Sequence, residues 1–382
     1  MQDVIDKEAL RRSEFPVTER LIYLNHAAVG PLPRSTSEAM QAHAVDQRDF
    51  GALHWRAWMA AHDGFRDRAA RLINASKSEI AILKNTSEGL SFVAEGFRWR
   101  DGDNVVTTDM EFPSNYTPWK RLERRGVECR LVRNRDGGFD ASDIERLIDE
   151  RTRIVALSSV SFHNGFAPDL DAAGRLCSER GVFFCVDAIQ SLGAIPLDVR
   201  RSGISFLAAD GHKWLLGPEG TAIFFCSEEA REQLDVLESG WTNVLRHGTF
   251  IDESVDLRED GRRFEAGSLN TNGVYGMNAS LDLLERTGID AIEREVIRLA
   301  MRMADRLEAI GFVIGTPRPI RSGIVAAAPP PGGESLLFLH RRLEQRGIVC
   351  APREGMLRFS PHFYNTDDEI DRVVEALREE RE

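Results

Sequence analysis

Short apolar runs alternate with amphipathic stretches between residues 79 and 226. The short runs predict buried strands, and stretches with apolar residues every three or four positions predict helices. The predicted strands cover residues 80–83, 104–107, 127–132, 154–160, 182–186, 204–209 and 221–226. The predicted helices cover 86–97, 116–125, 142–149 and 170–180. This alternation predicts an α/β fold, with a mostly parallel sheet covered on both faces and functional residues where strands end.

The pattern changes after residue 261. Helices are predicted at 277–286, 291–310, 334–346 and 367–380, and short strands at 312–315, 323–328, 348–351 and 356–360. These elements predict a small α+β domain, and the helix at 291–310 is long enough to bridge two domains. Residues 35–74 are predicted to be helical. We therefore predict an N-terminal arm at 1–22 that packs on the small domain, a large domain at 23–265, and an interdomain helix and small C-terminal domain at 266–382.

Composition excludes several classes of protein. The net charge of -12 over 382 residues argues against nucleic acid or an anionic membrane surface as the main partner. The N-terminus lacks an export leader, and no apolar run approaches 18 residues, so we expect neither export nor membrane insertion. The cysteines are scattered without a CxxC pair, which favours reduced thiols in a cytoplasmic protein over disulfides or a metal site; they are Cys129, Cys177, Cys185, Cys226 and Cys350.

One lysine is a candidate for covalent chemistry. Only five of the 49 basic residues are lysines, so Lys213 stands out in the stretch Asp210–Gly220. An amine can lose its proton, whereas a guanidinium cannot. A lysine just after a buried strand, between His212 and Trp214, can be desolvated and form a Schiff base. A surface lysine in a loop is the competing interpretation, and this stretch alone does not decide between them.

Two strand ends carry further candidates. Thr86 and Ser87 begin a helix directly after a strand, where hydroxyls and free backbone N–H groups can bind a phosphate, although a helix cap would look the same. Asp187 ends an apolar strand, with Gln190 three residues on. A carboxylate there can keep a pyridine nitrogen protonated, as pyridoxal 5′-phosphate (PLP) chemistry requires, or it can simply cap the next helix.

Two more residues extend the set. His212, beside the lysine, could bind a phosphate or could be structural. Arg358 lies in an apolar strand near the C-terminus, where a guanidinium favours a bidentate partner such as a substrate carboxylate.

Together these residues resemble the class V aminotransferase group of fold-type-I PLP enzymes, which includes cysteine desulfurases, selenocysteine lyase and isopenicillin N epimerase-like proteins. The resemblance runs from about Tyr23 to the C-terminus. Three motifs carry it: GHKxxxGPEG at 211–220, VDAIQSLGAIPLDV at 186–199 and RFSPHFYNT at 358–366. It implies a large domain with a seven-stranded, mostly parallel sheet and a small α+β domain.

The resemblance also implies roles for individual residues. Lys213 carries the cofactor as an aldimine and moves the proton, Asp187 pairs with the pyridine nitrogen, and Gln190 pairs with the ring hydroxyl. The phosphate is held by Thr86, Ser87 and His212, and the substrate carboxylate by Arg358. Gly267 and Ser268 match a segment that reaches the phosphate of a neighbouring subunit, which implies a homodimer.

Three departures from the desulfurase pattern narrow the function. Phe112 follows Glu111 where desulfurases carry a histidine stacked on the cofactor, and a phenyl ring can stack but cannot exchange protons. The loop at 353–355 lacks the mobile desulfurase cysteine, so persulfide chemistry is not expected. Asp210 stands where desulfurases often have a phosphate-binding serine, and its role stays open.

The leading hypothesis is an aminotransferase acting on a small amino acid, with a 2-oxo acid as a possible second substrate. An epimerase or a β-eliminating C–S lyase on the same fold is the main rival. A non-catalytic binding protein on this fold is a weaker alternative, and the absence of GxGxxG after a strand disfavours a nicotinamide enzyme. Substrate side chains are expected to contact Asn25, His26 and the loops at 25–30, 162–166 and 241–250.

Overall fold

The computed structural model describes residues 5–245 and 256–378. Its α-helices are α1 (Lys7–Glu14), α2 (Arg34–Phe50), α3 (Trp55–Leu72), α4 (Thr86–Gly96), α5 (Pro113–Arg121), α6 (Ala141–Glu145), α7 (Leu170–Arg180), α8 (Glu228–Arg231), α9 (Thr271–Thr287), α10 (Ile289–Glu308), α11 (Leu336–Gln345) and α12 (Asp367–Arg378). Its strands are β1 (Ile22–Tyr23), β2 (Ile80–Leu83), β3 (Asn104–Thr108), β4 (Glu128–Val132), β5 (Thr152–Ser158), β6 (Phe183–Asp187), β7 (Phe206–Asp210), β8 (Ala222–Cys226), β9 (Val313–Ile314), β10 (Val325–Ala328), β11 (Ile348–Val349), β12 (Ala351–Arg353) and β13 (Met356–Phe359).

The main sheet has seven strands in the order β2-β8-β7-β6-β5-β3-β4. Strands β4, β3, β5, β6 and β7 pair in parallel, whereas β8 is antiparallel to both β7 and β2. The predicted mostly parallel sheet is confirmed. Its parallel strands all end at one edge, and this edge carries the candidate site.

Helices cover both faces of this sheet, so its strands are apolar on both sides. Val186 and Leu207 belong to a core on one face, and Cys185 and Phe206 belong to a core on the other. Successive side chains of a strand point to opposite faces, which explains why continuous apolar runs mark these strands.

Local chemistry sets the helix bounds. The predicted helix at 170–180 matches α7, because the Asp169 carboxylate caps its first turn and Gly181 ends it in the left-handed region. The predicted helix at 142–149 is shorter in the structure. The Asp149 carboxylate accepts hydrogen bonds from the Arg151 backbone N–H and the Asn104 side chain, which holds the chain in a turn. The helical stretch at 35–74 is split at Gly51, which has a positive φ of 58°.

A four-stranded antiparallel sheet, β12-β13-β10-β9, forms the centre of the C-terminal part, and β1 pairs in parallel with β11 beside it. Helix α10 contributes Ile292 and Val296 to the large core and Leu299 and Leu307 to the small one. It therefore joins the two halves as an interdomain helix would.

The N-terminal arm packs on C-terminal elements. Arg11 donates to the backbone oxygen of Tyr364 at 3.0 Å and forms an ion pair with Glu369 at 2.8 Å. Ile22 pairs in register with Ile348, so the chain enters the small core before it reaches the main sheet. The position of the arm on a small domain and the division into domains both stay predictions.

Candidate active site

The candidate residues gather at the carboxyl-terminal edge of the parallel strands. Thr86 follows β2, Phe112 follows β3, Asp187 ends β6, and Lys213 follows β7. The carboxyl ends of such strands are where open α/β sheets bind ligands, because loops rather than helices close that edge.

Lys213 is the central amine of this edge. The residue is 9% exposed, and its Nζ lies 5.7 Å from the centre of the Phe112 ring. Burial lowers the pKa of Lys213 to about 8, the charge of Asp187 raises it, and that of Arg358 lowers it further. A substantial fraction of this amine is therefore neutral near pH 8, as nucleophilic chemistry requires.

The loop around Lys213 is held from two sides. Trp214 donates its indole N–H to Oε1 of Gln190 at 3.0 Å, and its backbone oxygen is 3.0 Å from Nε2 of His362. Leu216 is buried, and its backbone is in the left-handed region with a φ of 56°. This conformation is strained for a residue with a side chain, so the surrounding packing must hold it in place.

Asp187 lies inside the protein at the end of β6. It is 2% exposed, and its Oδ1 accepts a hydrogen bond from the Ile189 backbone N–H at 3.0 Å. Burial raises the pKa of Asp187 to about 6, while that N–H and the charge of Lys213 lower it. A cation placed against this carboxyl would favour its ionised form.

The start of α4 carries several hydrogen-bonding groups. Asn85, not Thr86 or Ser87, caps the helix, since its Oδ1 accepts from the Glu88 N–H at 2.9 Å. Thr86 is buried, and its hydroxyl oxygen accepts from the Asp210 N–H at 3.0 Å. Ser87 is exposed. The hydroxyls of Thr86 and Ser87 both lie in the first turn of α4, where the helix dipole and free N–H groups favour an anion.

His212 and Asp210 lie side by side at the end of β7. Nδ1 of His212 is 3.0 Å from Oδ2 of Asp210, although it has no hydrogen-bond partner among the described residues. Oδ1 of Asp210 accepts from the Gly211 N–H at 2.7 Å. Asp210 thus contacts the two residues that follow it in the chain, and its part in the site stays open.

A loop from the N-terminal part of the chain passes close to Lys213. Gly30 donates its N–H to the His212 oxygen at 2.7 Å, and a Cβ at Gly30 would lie 2.4 Å from the Lys213 backbone oxygen. Gln190 donates to the Ala27 oxygen at 3.0 Å. Its amide nitrogen keeps a second hydrogen, which is the donor left for the predicted pairing with a ring hydroxyl.

Asn25 and His26 are the predicted substrate contacts, and they differ in whether their side chains already have hydrogen-bond partners among the described residues. Oδ1 of Asn25 is buried without a hydrogen-bond partner among the described residues. The His26 ring is fully buried, with Nδ1 2.8 Å from the Ser360 oxygen and Nε2 2.8 Å from the Tyr364 hydroxyl. Contact of His26 with a substrate would require these bonds to break, so its geometry favours a structural role.

Arg358 is a buried cation whose N–H donors find only part of their hydrogen-bond partners among the described residues. It is 2% exposed and donates to the Phe162 oxygen at 2.6 Å, and its Nε has no partner among the described residues. Burial lowers the pKa of Arg358 to about 10, with a further contribution from the charge of Arg353. No carboxylate of the described residues forms an ion pair with Arg358, so an anionic ligand would complete it.

Glu111 is a residue that sequence reasoning did not place in the site. Its carboxyl accepts from the backbone N–H of Ser158 and the amide of Asn115, each at 2.8 Å, and from the Ser158 hydroxyl. Burial raises the pKa of Glu111 to about 7 despite these donors, with a contribution from Asp187. Glu111 ties the loop that carries Phe112 to the end of β5. Its position before a phenylalanine in a strand–helix loop was the only sequence signal.

Gly267 and Ser268 lie beside the connection that leads into α4, in a cavity lined also by Leu83, Lys84 and Glu88. They also line a cavity of about 580 Å³ with Trp55, Trp58 and Trp241, among other residues. Of the predicted recognition loops, 162–166 lies beside Arg358 through Phe162, whereas residues 246–250 of the third loop lie outside the described residues.

Other site types find no support in the described ranges. No group of three or more His, Cys, Asp or Glu residues could hold a metal ion in residues 5–245 and 256–378. Within the same ranges, every helix is too short or too polar to cross a membrane.

The chain belongs to the class V aminotransferase family, which it matches over residues 22–373. It is 34% identical to a probable cysteine desulfurase of Methanothermobacter thermautotrophicus and 32% identical to one of Pyrococcus abyssi, over 96% of both chains in each case. The apo structure of a cysteine desulfurase from Thermococcus onnurineus NA1 superposes with a TM-score of 0.90 at 28% identity, covering 99% of this chain and 98% of that chain. The resemblance and the fold-type-I architecture predicted from the sequence are confirmed.

The chain is therefore an enzyme of a PLP-dependent family, and PLP is its cofactor. The residues at the sheet edge fit this group. They provide a partly neutral amine, a buried carboxyl, a helix start with two hydroxyls, and an exposed phenyl ring above the amine. Among the described residues, the buried Arg358 guanidinium has no carboxylate partner and the buried Asn25 Oδ1 has no hydrogen-bond partner.

Proposed function

We propose that this enzyme removes the Cα proton of a small amino acid and acts as an aminotransferase. The observation that carries the proposal is the buried Lys213 amine, whose pKa is lowered to about 8 by burial. Such an amine can accept a proton near neutral pH and return it to a neighbouring carbon, which is what transamination requires of a base.

Each residue has one task in this proposal. PLP, when bound, supplies an electron sink for the charge left on Cα. Asp187 holds the proton on the pyridine nitrogen, which maintains that sink. Thr86, Ser87 and His212 bind the phosphate, and Gln190 donates to the ring hydroxyl.

Substrate and cofactor are oriented by two further side chains. Arg358 binds the α-carboxylate, which places Cα within reach of Lys213. Phe112 covers one face of the ring and excludes water there without exchanging protons.

The cysteines argue against transfer of sulfur to a protein thiol. Four of the five are buried, and Cys129 is half-buried. Burial raises the pKa of Cys177 and of Cys350 to about 12, so each carries little thiolate at neutral pH. Since the loop at 353–355 also lacks a cysteine, we propose that the chain does not form a persulfide.

A C–S lyase acting by β-elimination is the second candidate. It is favoured by the relatives that are 34% and 32% identical, both of which are named as probable cysteine desulfurases. Elimination of a β-thiol group needs the same proton-accepting base, the same electron sink and the same carboxylate-binding arginine as transamination. No residue of the site therefore excludes β-elimination.

We also propose a homodimer. Gly267 and Ser268 line the 580 Å³ cavity together with Trp55 and Trp241, which are each 41% exposed. Large exposed aromatic side chains are typical of interfaces, and a second copy there could place Gly267 and Ser268 at its own phosphate site. Sedimentation should give twice the chain mass of 42.9 kDa.

Amino-group transfer tests the proposed reaction. The holoenzyme is incubated with an amino acid, first alone and then with a 2-oxo acid, and amino and oxo products are measured. An aminotransferase forms a new amino acid only when the 2-oxo acid is present, and Lys213→Ala abolishes this. Pyruvate and sulfide released from cysteine without an acceptor would instead establish the lyase.

A further inference from the structure

The loop that follows Cys350 carries a second arginine beside the carboxylate site. Strands β12 and β13 form an antiparallel hairpin in which Ala351 pairs with Arg358 and Arg353 pairs with Met356. Directly opposed residues of an antiparallel pair share a face, and so do residues two apart on one strand. Arg353 and Arg358 therefore project from the same face of the small sheet.

A tight turn fixes the position of Arg353. Glu354 and Gly355 connect the two strands with φ values of 45° and 79°. Two successive residues in the left-handed region define the compact hairpin turn that matches strand twist. Arg353 thus lies at the end of a short hairpin, with its side chain exposed.

The guanidinium of Arg353 is available to a ligand. In the described part of the chain it donates one hydrogen bond, to the Pro352 oxygen at 3.1 Å, and it forms no ion pair with a carboxylate. Glu354, the adjacent acid, does not pair with it there. A guanidinium has five N–H donors, so most of its capacity stays open.

The charge of Arg353 affects the pKa values of two candidate active-site residues. After burial, it is the second cause that lowers the pKa of Arg358, and it also contributes to the lowered pKa of Lys213. Arg353, Arg358 and Lys213 are therefore close enough to act on one another, and the buried acids Asp187 and Asp210 act on Lys213 in the opposite direction. A substrate with one carboxylate would satisfy Arg358 and leave Arg353 without a partner.

We propose that Arg353 binds a second carboxylate of the substrate, so that the enzyme acts on a dicarboxylic amino acid or the corresponding 2-oxo acid. This inference rests on the proposed function for the role of Arg358. It adds the class of substrate and a specificity-determining residue. Because Arg353 is exposed, an ion pair with this guanidinium gives about a two- to fivefold preference for a dicarboxylate over a monocarboxylate of equal length.

Calorimetry with unreactive acids tests the inference without turnover. The holoenzyme is titrated at low salt with glutarate and pentanoate, and separately with succinate and butanoate. We expect the wild type to bind each dicarboxylate about two to five times more tightly than its monocarboxylate. Arg353→Met should remove this difference, and Arg358→Met should weaken both members of each pair. Arg341→Met, an exposed change on α11, should behave as the wild type.

Equal binding of the two acids by the wild type would overturn the inference, as would a preference that survives in Arg353→Met. Arg353→Gln provides a second variant, and circular dichroism shows whether each protein is folded. The test is separate from that of the proposed function, because loss of amino-group transfer or of the Lys213 adduct would leave a measured dicarboxylate preference intact.

Discussion

The titration of Lys213 in the apoprotein is the most quantitative consequence of the site. An exposed lysine has a pKa near 10.5, whereas burial lowers that of Lys213 to about 8. The difference corresponds to about 3 kcal/mol against the charged amine. At pH 8 about half of the Lys213 side chains are neutral, compared with roughly 0.3% of ordinary lysines.

Competitive labelling with acetic anhydride, read out by peptide mass spectrometry, measures this difference within one protein. Reactivity is followed between about pH 6 and pH 11, the range over which the two expected midpoints lie. Lys84 is the internal control, because its hydrogen bond to Glu88 raises its pKa above 10.5. We expect Lys213 to reach half of its maximal reactivity near pH 8 and Lys84 to do so above pH 10.5.

Asp187→Asn gives the sign of the electrostatic contribution. The charge of Asp187 raises the pKa of Lys213, so its removal should move the Lys213 midpoint to lower pH and leave that of Lys84 unchanged. A Lys213 midpoint near 10.5 in the wild type would refute the role assigned to burial. A midpoint that rises in Asp187→Asn would refute the proximity of the two groups.

Two further predictions concern packing and protonation around Lys213. Gly30→Ala places a Cβ 2.4 Å from the Lys213 backbone oxygen and should lower the free energy of unfolding, measured in urea, by about 1–3 kcal/mol. Gly64→Ala in α3 is the control, because its Cβ would have its nearest neighbour at 3.7 Å and should raise that free energy by up to about 1 kcal/mol. Equal effects of the two substitutions would contradict the close approach of Gly30 to Lys213. The pKa of Glu111 is raised to about 7 by burial, so its contribution to stability is present below its ordinary value of 4.5 and is lost as pH rises through 7. Glu111→Gln should therefore gain up to about 3 kcal/mol relative to the wild type between pH 5 and pH 8, and an unchanged gap would show that Glu111 does not titrate there.

The sheet and the general position of the site follow from local pattern. Runs such as 183–186 are apolar on both faces because helices cover both faces, and this is visible in the sequence. Asp187 and Thr86 could be placed at one edge because parallel strands end together. The exact ends of α6 and the break after α2 depend on side-chain bonds and a left-handed glycine that periodicity does not show.

Contacts between distant segments could not be predicted. Gln190 reaches Ala27, and Glu111 reaches Ser158, only because the sheet brings those segments together. The burial of His26 depends on Tyr364, near the other end of the chain. The shared face of Arg353 and Arg358 depends on the register of a hairpin. Each of these follows from tertiary packing, which a single sequence does not encode locally.

Reduction of the holoenzyme with borohydride tests the central assignment most directly. If Lys213 is the amine that holds PLP, reduction should fix a pyridoxyl group on the peptide that contains Lys213. The Lys213→Ala protein, refolded and saturated with PLP, should carry none after the same treatment. A pyridoxyl group on another lysine, or an equal yield in Lys213→Ala, would contradict the account.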